Sequence, residues 1–544
     1  MKKKALALLL ASVMCVGTLA GCGGGGGGDD AAADVSPVEE ATVDESGKVN
    51  GVMYAEGLPL VDEGTYSFSI FCDDSSESGE FAMMPILQEQ TNVDVELQIY
   101  PNETATERLN LALNSGDYAD VLGGWILNDS LILTYGVNQG VFLPLEDYFA
   151  EYCPRISEIL DLPGVREEMT APDGHIYTIP YVCDDTTVGY SPYINGRWLE
   201  NVGMEMPTTT DEFVEVLRAF RDQDANGNGD PNDEIPFSAD PNNKHIEAMA
   251  GWFGLPMNKE GVAIVDGEVV FGAVSNQYRE FLSWFNSLYE EGLVDVELYT
   301  QDSSTWEGKG NRDLYGVSIA YGSSEFSGIV QTAEKSEFDI LPVLNTDNGG
   351  IWLRDTNGFS VYRTQAVITD NAENPEVIAR WFDNAFTLEN GIGCNRGPVG
   401  TVVFEEDGGY RAINVEESDM TDEEKEALSW SNLWPQSLPK YLPSGFEFIE
   451  ENPVYDEKGT LEETYEPYLT EEIVPKFWIP LDQIDRYSDI ATAIQDYFDQ
   501  QQAMFVSGEM DVDDDATWQA YVDGYYALGL EDWLSVHGIE TVLE

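Results

Sequence analysis

The sequence predicts an α/β protein with two lobes, and three observations support this class. The chain has 544 residues, whereas single hydrophobic cores stop growing beyond about 250–300 residues. Hydrophobic residues make up 42% of the chain and aromatic residues 11%, which is too apolar for a disordered acidic chain. Beyond the N-terminal segment, strand patterns alternate with helix patterns, as they do in α/β folds.

The first predicted elements alternate between strand and helix. Tyr66–Phe71 and Val93–Tyr100 alternate apolar and polar side chains, which is the period of a half-buried strand. Residues 81–89 and 107–113 fit helices, and residues 120–122 fit a third short strand. This order indicates a sheet covered by helices.

The later part of the chain is predicted to be rich in helices. Asn276–Glu290 places its large apolar side chains on one helical face, and Gly292 just beyond it is a typical helix end. Pro375 is placed to open another helix. Residues 490–530 also fit helices, and no repeat of solenoid period is present.

The N-terminus predicts export followed by lipid attachment. A cationic start and an apolar stretch, Ala5–Ala20, fit a signal peptide over residues 1–21. The stretch ends in Leu-Ala-Gly before Cys22, which resembles a bacterial lipobox whose cysteine is lipidated. The alternative is a chance cysteine at an ordinary cleavage site. Residues 22–57 begin with a glycine run and fit a flexible tether. We therefore expect the protein at the extracytoplasmic face of the cell membrane, attached by this anchor alone.

The net charge excludes two classes of partner. Lys and Arg number 26 against 101 Asp and Glu, which gives a formal charge of −75. Such a field repels nucleic acid backbones and anionic lipid headgroups. We interpret the charge as a solubilising surface.

An acidic, glycine-turned loop follows a predicted helix and is a candidate calcium site. Ca²⁺ prefers six to eight oxygen ligands from a tight loop. Thr209 and Glu212 fit a capping box at the start of the helix that leads into it. The candidate ligands are Asp222, Asp224, Asn226, Asn228, Asp230, Asp233 and Glu234. We expect the ion to hold the loop in place; the alternative is a polar turn without metal.

Six segments resemble one protein family in its own order. They are Ser115–Asp120, with Ala119 where proline is usual, Gly140–Asp147, Asp173–Pro180, Trp198–Phe213, Leu288–Asp295 and Trp518–Gly529. Together they resemble bacterial extracellular solute-binding lipoproteins that serve oligosaccharide ABC importers. The resemblance implies a two-lobed, periplasmic-binding-protein-like fold of type II, with discontinuous lobes, a hinge and a ligand cleft between them. It also implies a calcium register starting at Asp224, but one extra residue leaves the closing ligand open between Asp233 and Glu234.

The resemblance implies that the chain crosses between lobes about three times. We place the crossings near 181–190, 353–362 and 430–439. Lobe 1 then comprises 58–185 plus 357–435, and lobe 2 comprises 186–356 plus 436–544.

Candidate ligand contacts are aromatic rings near turns, with polar side chains beside them. A sugar ring offers an apolar face to a flat side chain and hydroxyls to carboxylates and amides. Each aromatic candidate could equally belong to a core, and Asp185 could equally be a solvated hinge residue. The candidates are Trp125, Asn128, Asp129, Asp185, Trp252, Tyr321, Trp352 and Arg354.

The sequence favours a binding protein over an enzyme. The chain has three histidines and lacks the zinc, nucleophile-elbow and phosphate-loop motifs. We therefore expect capture of a carbohydrate, better a neutral oligosaccharide, by a monomer that delivers it to a transmembrane ABC permease. Two alternatives stay open: a glycan hydrolase with two carboxylates and a calcium-stabilised glycan-binding adhesin. Buried free thiols, or one or two disulfides, are expected for Cys72, Cys153, Cys183 and Cys394.

Overall fold

A computed structural model describes most of the chain from residue 43 to residue 543. The gaps are 75–78, 185–186, 241–244, 328–336, 347–348, 407, 416–417 and 443–452. The predicted signal peptide, Cys22 and most of the tether lie outside the described residues, and so does Asp185. Within the described residues, no helix combines the length and the apolar character needed to cross a bilayer.

The first sheet has four strands. Its order is Ala366–Ile368, Val121–Gly123, Tyr66–Asp73 and Val93–Tyr100. The last three strands run parallel, and Ala366–Ile368 pairs antiparallel with Val121–Gly123. The predicted strands from this part of the chain are confirmed, and the first two are joined by the helix Met83–Thr91.

Apolar side chains cover both faces of this sheet. Ile70, Cys72 and Val121 belong to one core cluster, whereas Phe71 and Leu122 belong to another on the opposite face. This alternation follows the two-residue period of a strand. The first cluster also contains Trp434 and Leu438, which are remote in the sequence from the strands of this sheet.

The second sheet also has four strands. Its order is Phe338–Ile340, Ser191–Asn195, Tyr315–Ala320 and Ile235–Ala239, of which the last two run parallel. The largest core cluster packs against one face of this sheet and combines residues between 188 and 352 with residues between 461 and 539. The two sheets therefore belong to separate cores, which we call lobe 1 and lobe 2. The predicted lobe boundaries stay predictions.

Two ribbons and one tail segment connect the lobes. Tyr181–Asp184 pairs antiparallel with Phe359–Tyr362, and Trp352–Arg354 pairs parallel with Leu469–Ile473. The tail segment, residues 474–484, then returns to lobe 1, because Ile479 and Ile484 belong to a core cluster of that lobe. The assignment of the whole of 436–544 to lobe 2 therefore does not describe this tail segment.

The remaining elements are mostly helices, and the predicted helix Asn276–Glu290 has the predicted bounds. The other helices are Asn102–Ser115, Asp129–Leu131, Glu146–Tyr152, Pro154–Leu160, Val165–Met169, Gly196–Val202, Thr210–Asp222, Ser303–Gly310, Pro375–Ala385, Leu388–Arg396, Asp422–Ala427, Pro453–Tyr465, Ile484–Val506, Asp515–Leu528 and Leu530–Val536. Ile132–Asn138 is a π-helix, and single 3₁₀ segments span Ile246–Phe253, Ser323–Glu325, Trp430–Asn432, Glu466–Tyr468 and Leu481–Gln483. Short strands span Lys48–Val49, Met53–Tyr54, Val262–Val265, Glu268–Phe271, Val403–Glu406, Gly409–Ala412 and Thr541–Val542. Cys72, Cys153, Cys183 and Cys394 are free thiols, and all but Cys183 are buried.

Candidate functional site

Two adjoining cavities lie between the lobes, each of about 860 Å³. Glu167 of lobe 1 and Tyr321 of lobe 2 line the first cavity, and Leu109 and Val262 line the second in the same way. The walls that the two cavities share are formed by Asn258, Glu260, Leu353, Asp355, Arg363, Val474, Pro475 and Lys476. Their size fits the volumes of about 300–1,000 Å³ that are usual for small-molecule sites.

Aromatic rings of lobe 2 line the first cavity. Tyr190 stacks on His245 with ring centroids 4.0 Å apart, and Tyr321 contacts Tyr190 edge to face at 6.0 Å. Tyr321 is 37% exposed, and the ammonium of Lys458 lies 3.5 Å above its ring. The predicted candidate Tyr321 therefore reaches the cavity, and it brings with it two rings that were not candidates.

A second aromatic group lies on lobe 1. Trp125, another predicted candidate, is 49% exposed and contacts Tyr362 at 5.2 Å and Tyr181 at 6.2 Å. Trp125 lines neither of the two cavities. Tyr181 and Tyr362 lie on the ribbon that connects the lobes, so this group stands beside the connection.

Both aromatic groups follow the carboxyl ends of parallel strands. Trp125 comes just after Val121–Gly123, and Tyr321 comes directly after Tyr315–Ala320. Ligands of open α/β sheets bind at this edge. The partner rings are not adjacent to these positions in the sequence, so the alternation of residue types alone could not identify them.

One predicted tryptophan contact is wrong, and a second tryptophan lies in the cavity wall. Trp252 is fully buried in the lobe 2 core, where it packs edge to face on Phe213 and Trp284. Trp352 is only 2% exposed and packs edge to face on Tyr465, but it lines the first cavity, so its contact with a ligand stays a prediction. Both side chains are large and apolar, and burial in a core satisfies them better than a cleft would.

The polar candidates line the second cavity but have partners in the protein. Asn128 caps a helix by accepting a hydrogen bond from Leu131 N at 3.0 Å. Arg354 donates from Nε to Thr470 O at 3.0 Å. Asp129 forms an ion pair with Arg363, a residue that was not a candidate. Asp185 lies outside the described residues.

The acidic loop after Thr210–Asp222 folds around its own amide and carboxylate oxygens. Asn228 N donates to Asn226 Oδ1 at 2.9 Å, Gly229 N to Asp224 Oδ2 at 3.0 Å, and Asp230 N to Asn228 Oδ1 at 2.8 Å. Gly229 adopts a positive φ of 95°, which glycine allows at no steric cost. These contacts start at Asp224.

Asp222 does not take part in this loop. Its carboxylate accepts hydrogen bonds from Arg221, so this candidate ligand stays a prediction that the contacts of the loop do not support. The predicted capping box is also modified: Thr209 caps Glu212 N, but the Glu212 carboxylate accepts from Thr208 N. The helix Thr210–Asp222 ends just before Asp224, where the contacts of the acidic loop start.

Among the residues that the structure describes, two buried carboxylate oxygens of the loop find no hydrogen-bond partner, namely Asp224 Oδ1 and Glu234 Oε2. Asp233 instead accepts from the amides of Asn226 and Asn228, at 3.2 and 2.9 Å. Across the described residues, no group of three or more His, Cys, Asp or Glu side chains is arranged to hold a metal ion. A metal here would need amide and backbone oxygens besides the two free carboxylate oxygens.

Comparison with known proteins identifies the family. The family described as bacterial extracellular solute-binding protein matches residues 73–391, more than half of the chain. The chain belongs to this family. The predicted two-lobed, periplasmic-binding-protein-like fold of type II is thereby confirmed, and members of the family act outside the cytoplasm.

Two curated relatives and one solved structure are similar to this solute-binding protein. The fructooligosaccharide ABC transporter substrate-binding protein FusA of Streptococcus pneumoniae serotype 4 is 28% identical over 515 residues, covering 90% of this chain and 91% of FusA. Lipoprotein LipO of Bacillus subtilis strain 168 is 25% identical, covering 66% and 72%. The structure of S. pneumoniae FusA in complex with kestose has a TM-score of 0.75 at 25% identity, covering 87% of this chain and 98% of that chain.

Proposed function

We propose that this solute-binding protein captures a neutral oligosaccharide between its lobes and delivers it to the permease of an ABC importer. The observation that carries the proposal is the pair of cavities between the lobes, with aromatic rings of lobe 2 in the first of them. FusA, which is similar over nine-tenths of this chain, is a fructooligosaccharide-binding protein by name.

Capture would proceed by closure of the lobes about the connecting ribbons. Closure would bring the ring group of Trp125 and that of Tyr321 toward the same ligand and remove water from between them. Rings stack on the apolar face of a sugar, and the polar side chains of the cavities bind its hydroxyls. The permease would recognise the closed form, because the ligand stabilises that form.

A binding screen tests the proposal. Purified protein is titrated calorimetrically with kestose, laminaribiose and trigalacturonate, and each complex is checked by thermal melting, since a ligand of the folded state raises its stability. We expect kestose or laminaribiose to bind with a dissociation constant of about 1 μM, which corresponds to roughly −8 kcal/mol. Failure of both neutral sugars to bind or to raise the melting temperature contradicts the proposal.

We also propose that the protein is a binder without hydrolytic activity. The relatives are named as substrate-binding proteins or lipoproteins. Kestose recovered after prolonged incubation with the protein should be chemically unchanged by mass spectrometry. The appearance of shorter sugars would favour the hydrolase alternative.

The membrane attachment is proposed to be a lipid on Cys22. The apolar leader before Cys22 and the glycine run after it support this proposal, and the relative LipO is named as a lipoprotein. Cells expressing the full chain should incorporate labelled palmitate into it, and Cys22→Ser should abolish the incorporation. We expect the soluble body to elute as a monomer in size-exclusion chromatography.

A structural calcium ion in the acidic loop is the last part of the proposal. The free oxygens of Asp224 and Glu234 support it, because a buried carboxylate oxygen without a partner is costly. Asn226 and Asn228 each keep a second lone pair on the side-chain oxygen, and the backbone oxygen of Asp230 is a further candidate. Calcium would link these oxygens and hold the loop against the lobe 2 core.

A further inference from the structure

Arg363 occupies a special position between the lobes. It lines both cavities and is only 9% exposed. Its Nε donates to Asp129 Oδ1 at 3.0 Å, and its Nη2 donates to the other carboxylate oxygen of Asp129 and to Phe477 O at 2.8 Å. The guanidinium carbon lies 4.2 Å above the ring of Trp478. The side chain is therefore fixed in place by lobe 1 and by the tail segment.

One nitrogen of this fixed guanidinium has no partner. Nη1 is buried and makes no hydrogen bond within the part of the chain that the structure describes. A guanidinium carries five N–H donors, and a buried donor without an acceptor is costly. Arg363 lines both cavities, but Nη1 has almost no accessible surface in this conformation, so a bound molecule supplies the acceptor only when the cavity wall opens at Arg363 on binding.

The charge around Arg363 decides what that acceptor is. Asp129 neutralises the guanidinium through a bidentate pair. Three other cations line the cavities: Lys476 lies 3.1 Å from Glu168, Arg354 lies 3.4 Å from Glu466, and the charge of Lys259 acts on the neighbouring Glu260.

Two further acids, Glu260 and Asp355, line both cavities and make the surroundings of Arg363 still less favourable to an anionic ligand. Asp355 accepts a hydrogen bond from Gly189 N at 2.6 Å. A ligand carboxylate would therefore meet acidic side chains before it met an uncompensated positive charge. A sugar hydroxyl or ring oxygen pays no such penalty, because it accepts a hydrogen bond without bringing a charge.

We propose that Arg363 donates from Nη1 to an uncharged sugar oxygen, and that Asp129, by neutralising Arg363, makes the cleft reject uronate-containing sugars. This inference rests on the proposed function and deepens it, since it assigns the choice between neutral and acidic oligosaccharides to one ion pair. Arg363 is the contact residue, and Asp129 acts through it as a positioning and charge-setting residue.

The test measures selectivity with two probes, kestose and trigalacturonate, by calorimetry on the full mature chain. Arg363→Lys keeps the positive charge but removes the planar guanidinium, whose separate nitrogens bind Asp129 and donate to the ligand at the same time. Asp129→Asn keeps the shape of the side chain but leaves the guanidinium charge uncompensated. The matched control is Arg279→Lys.

Arg279 is a suitable control because it makes the same kinds of contact away from both cavities. It pairs with Asp515 at 3.0 Å, donates to Val512 O at 2.8 Å and lies 5.5 Å from the ring of Trp518. Replacing Arg279 by lysine should remove about as many packing contacts as replacing Arg363, but it changes no residue that lines the cavities. Circular dichroism and melting temperature report whether each variant is folded.

We expect Arg363→Lys to weaken kestose binding by about ten- to a hundredfold, the loss of a hydrogen bond to a charged group. Asp129→Asn should change the ratio of kestose to trigalacturonate affinity by at least about tenfold in favour of the uronate. Arg279→Lys should bind kestose as the wild type does. A structural role alone would lower the melting temperature of the variants without changing this ratio.

The inference is overturned if wild type binds kestose and the two cleft variants keep its affinity and its selectivity. It is also overturned if wild type binds trigalacturonate and rejects kestose, a result that leaves carbohydrate capture itself intact. Binding of neither probe by the folded wild type, together with failure of laminaribiose, removes the proposed function and this assignment with it.

Discussion

The carboxylate of Asp73 fills the space that a side chain on residue 124 would need. Gly124 has a φ of 123°, and a Cβ placed there would collide with Asp73 Oδ1. Asp73 ends an inner strand of the lobe 1 sheet, and Gly124 immediately precedes the exposed Trp125. The close approach of the two residues therefore fixes the backbone that presents Trp125.

Gly124→Ala should displace this backbone and the tryptophan after it. We expect a loss of about 1–3 kcal/mol in the free energy of unfolding, from backbone strain and collision, together with weaker kestose binding. Gly116→Ala is the control, since Gly116 also has positive φ but has open space around it; its cost should stay near about 1 kcal/mol. Equal effects of the two substitutions in urea unfolding would contradict the role of Asp73.

Substitution of an exposed ring should weaken ligand binding, whereas substitution of a buried ring should lower stability. Trp125→Ala and Tyr321→Ala are each expected to weaken kestose binding by about two- to tenfold, the worth of one ring contact, with little change in unfolding free energy. Trp252→Ala should instead cost about 3–5 kcal/mol of stability, because it empties a core site. Calorimetry and urea unfolding measure the two quantities, and a stable Trp252→Ala would contradict its burial.

The contrast between these tryptophans shows what residue patterns in the sequence can predict and what they cannot. Helix and strand periods predict Val93–Tyr100 and Asn276–Glu290 with their observed bounds, because those periods depend on local burial alone. Whether a tryptophan near a turn faces a cleft or a core depends on contacts that are remote in the sequence. Trp252 packs on Trp284, and nothing in the spacing of the two residues indicates this.

The same limit applies to the ion pair in the cleft. Arg363 and Asp129 lie far apart in the chain. Arg363 directly follows the strand Phe359–Tyr362, and the fold of this strand places it beside Asp129. Aspartate near the Trp125 loop could be predicted as a cleft residue, but its partner could not. The residue that contacts the ligand in our inference was therefore absent from the candidates drawn from composition and turns.

Calcium removal should lower the melting temperature of the protein. EDTA removes the ion that would join Asp224, Glu234 and the two asparagines, so the buried carboxylates would repel each other without compensation. Asp224→Asn should abolish the effect of EDTA and of added Ca²⁺. Asp222→Asn should preserve it, because Asp222 pairs with Arg221 outside the loop. Wild-type melting curves that ignore both EDTA and Ca²⁺ would remove the metal from the loop.

The packing of lobe 1 across remote segments can be tested at Trp434. This ring is fully buried and stacks on Trp381, with centroids 5.8 Å apart. Trp434→Ala should cost about 3–5 kcal/mol in urea unfolding, although the residue lies more than 300 positions after the three parallel strands of the sheet that it helps to cover. The exposed Trp430 provides the control, and its replacement by alanine should cost much less. Equal costs would contradict the placement of Trp434 in the lobe 1 core.

A buried glutamate beneath the cleft should make stability depend on pH. Glu247 is only 3% exposed, and burial raises its pKa from the usual 4.5 to about 7. The nearby His245, whose Nδ1 lies 3.5 Å from Glu247 Oε1, has its pKa lowered to about 4 by burial and is therefore neutral at pH 7.

The sign of this dependence follows from where each state binds the proton. Between about pH 4.5 and 7 the folded state keeps the proton on Glu247 while the unfolded state has lost it, so stability falls as pH rises. Glu247→Gln removes this loss. The difference in unfolding free energy between variant and wild type should therefore grow by about 3 kcal/mol from pH 4.5 to 8, and the comparison cancels the opposite contribution of His245. Parallel pH profiles for the two proteins would show that Glu247 is ionised in the folded state and that its burial is relieved in solution.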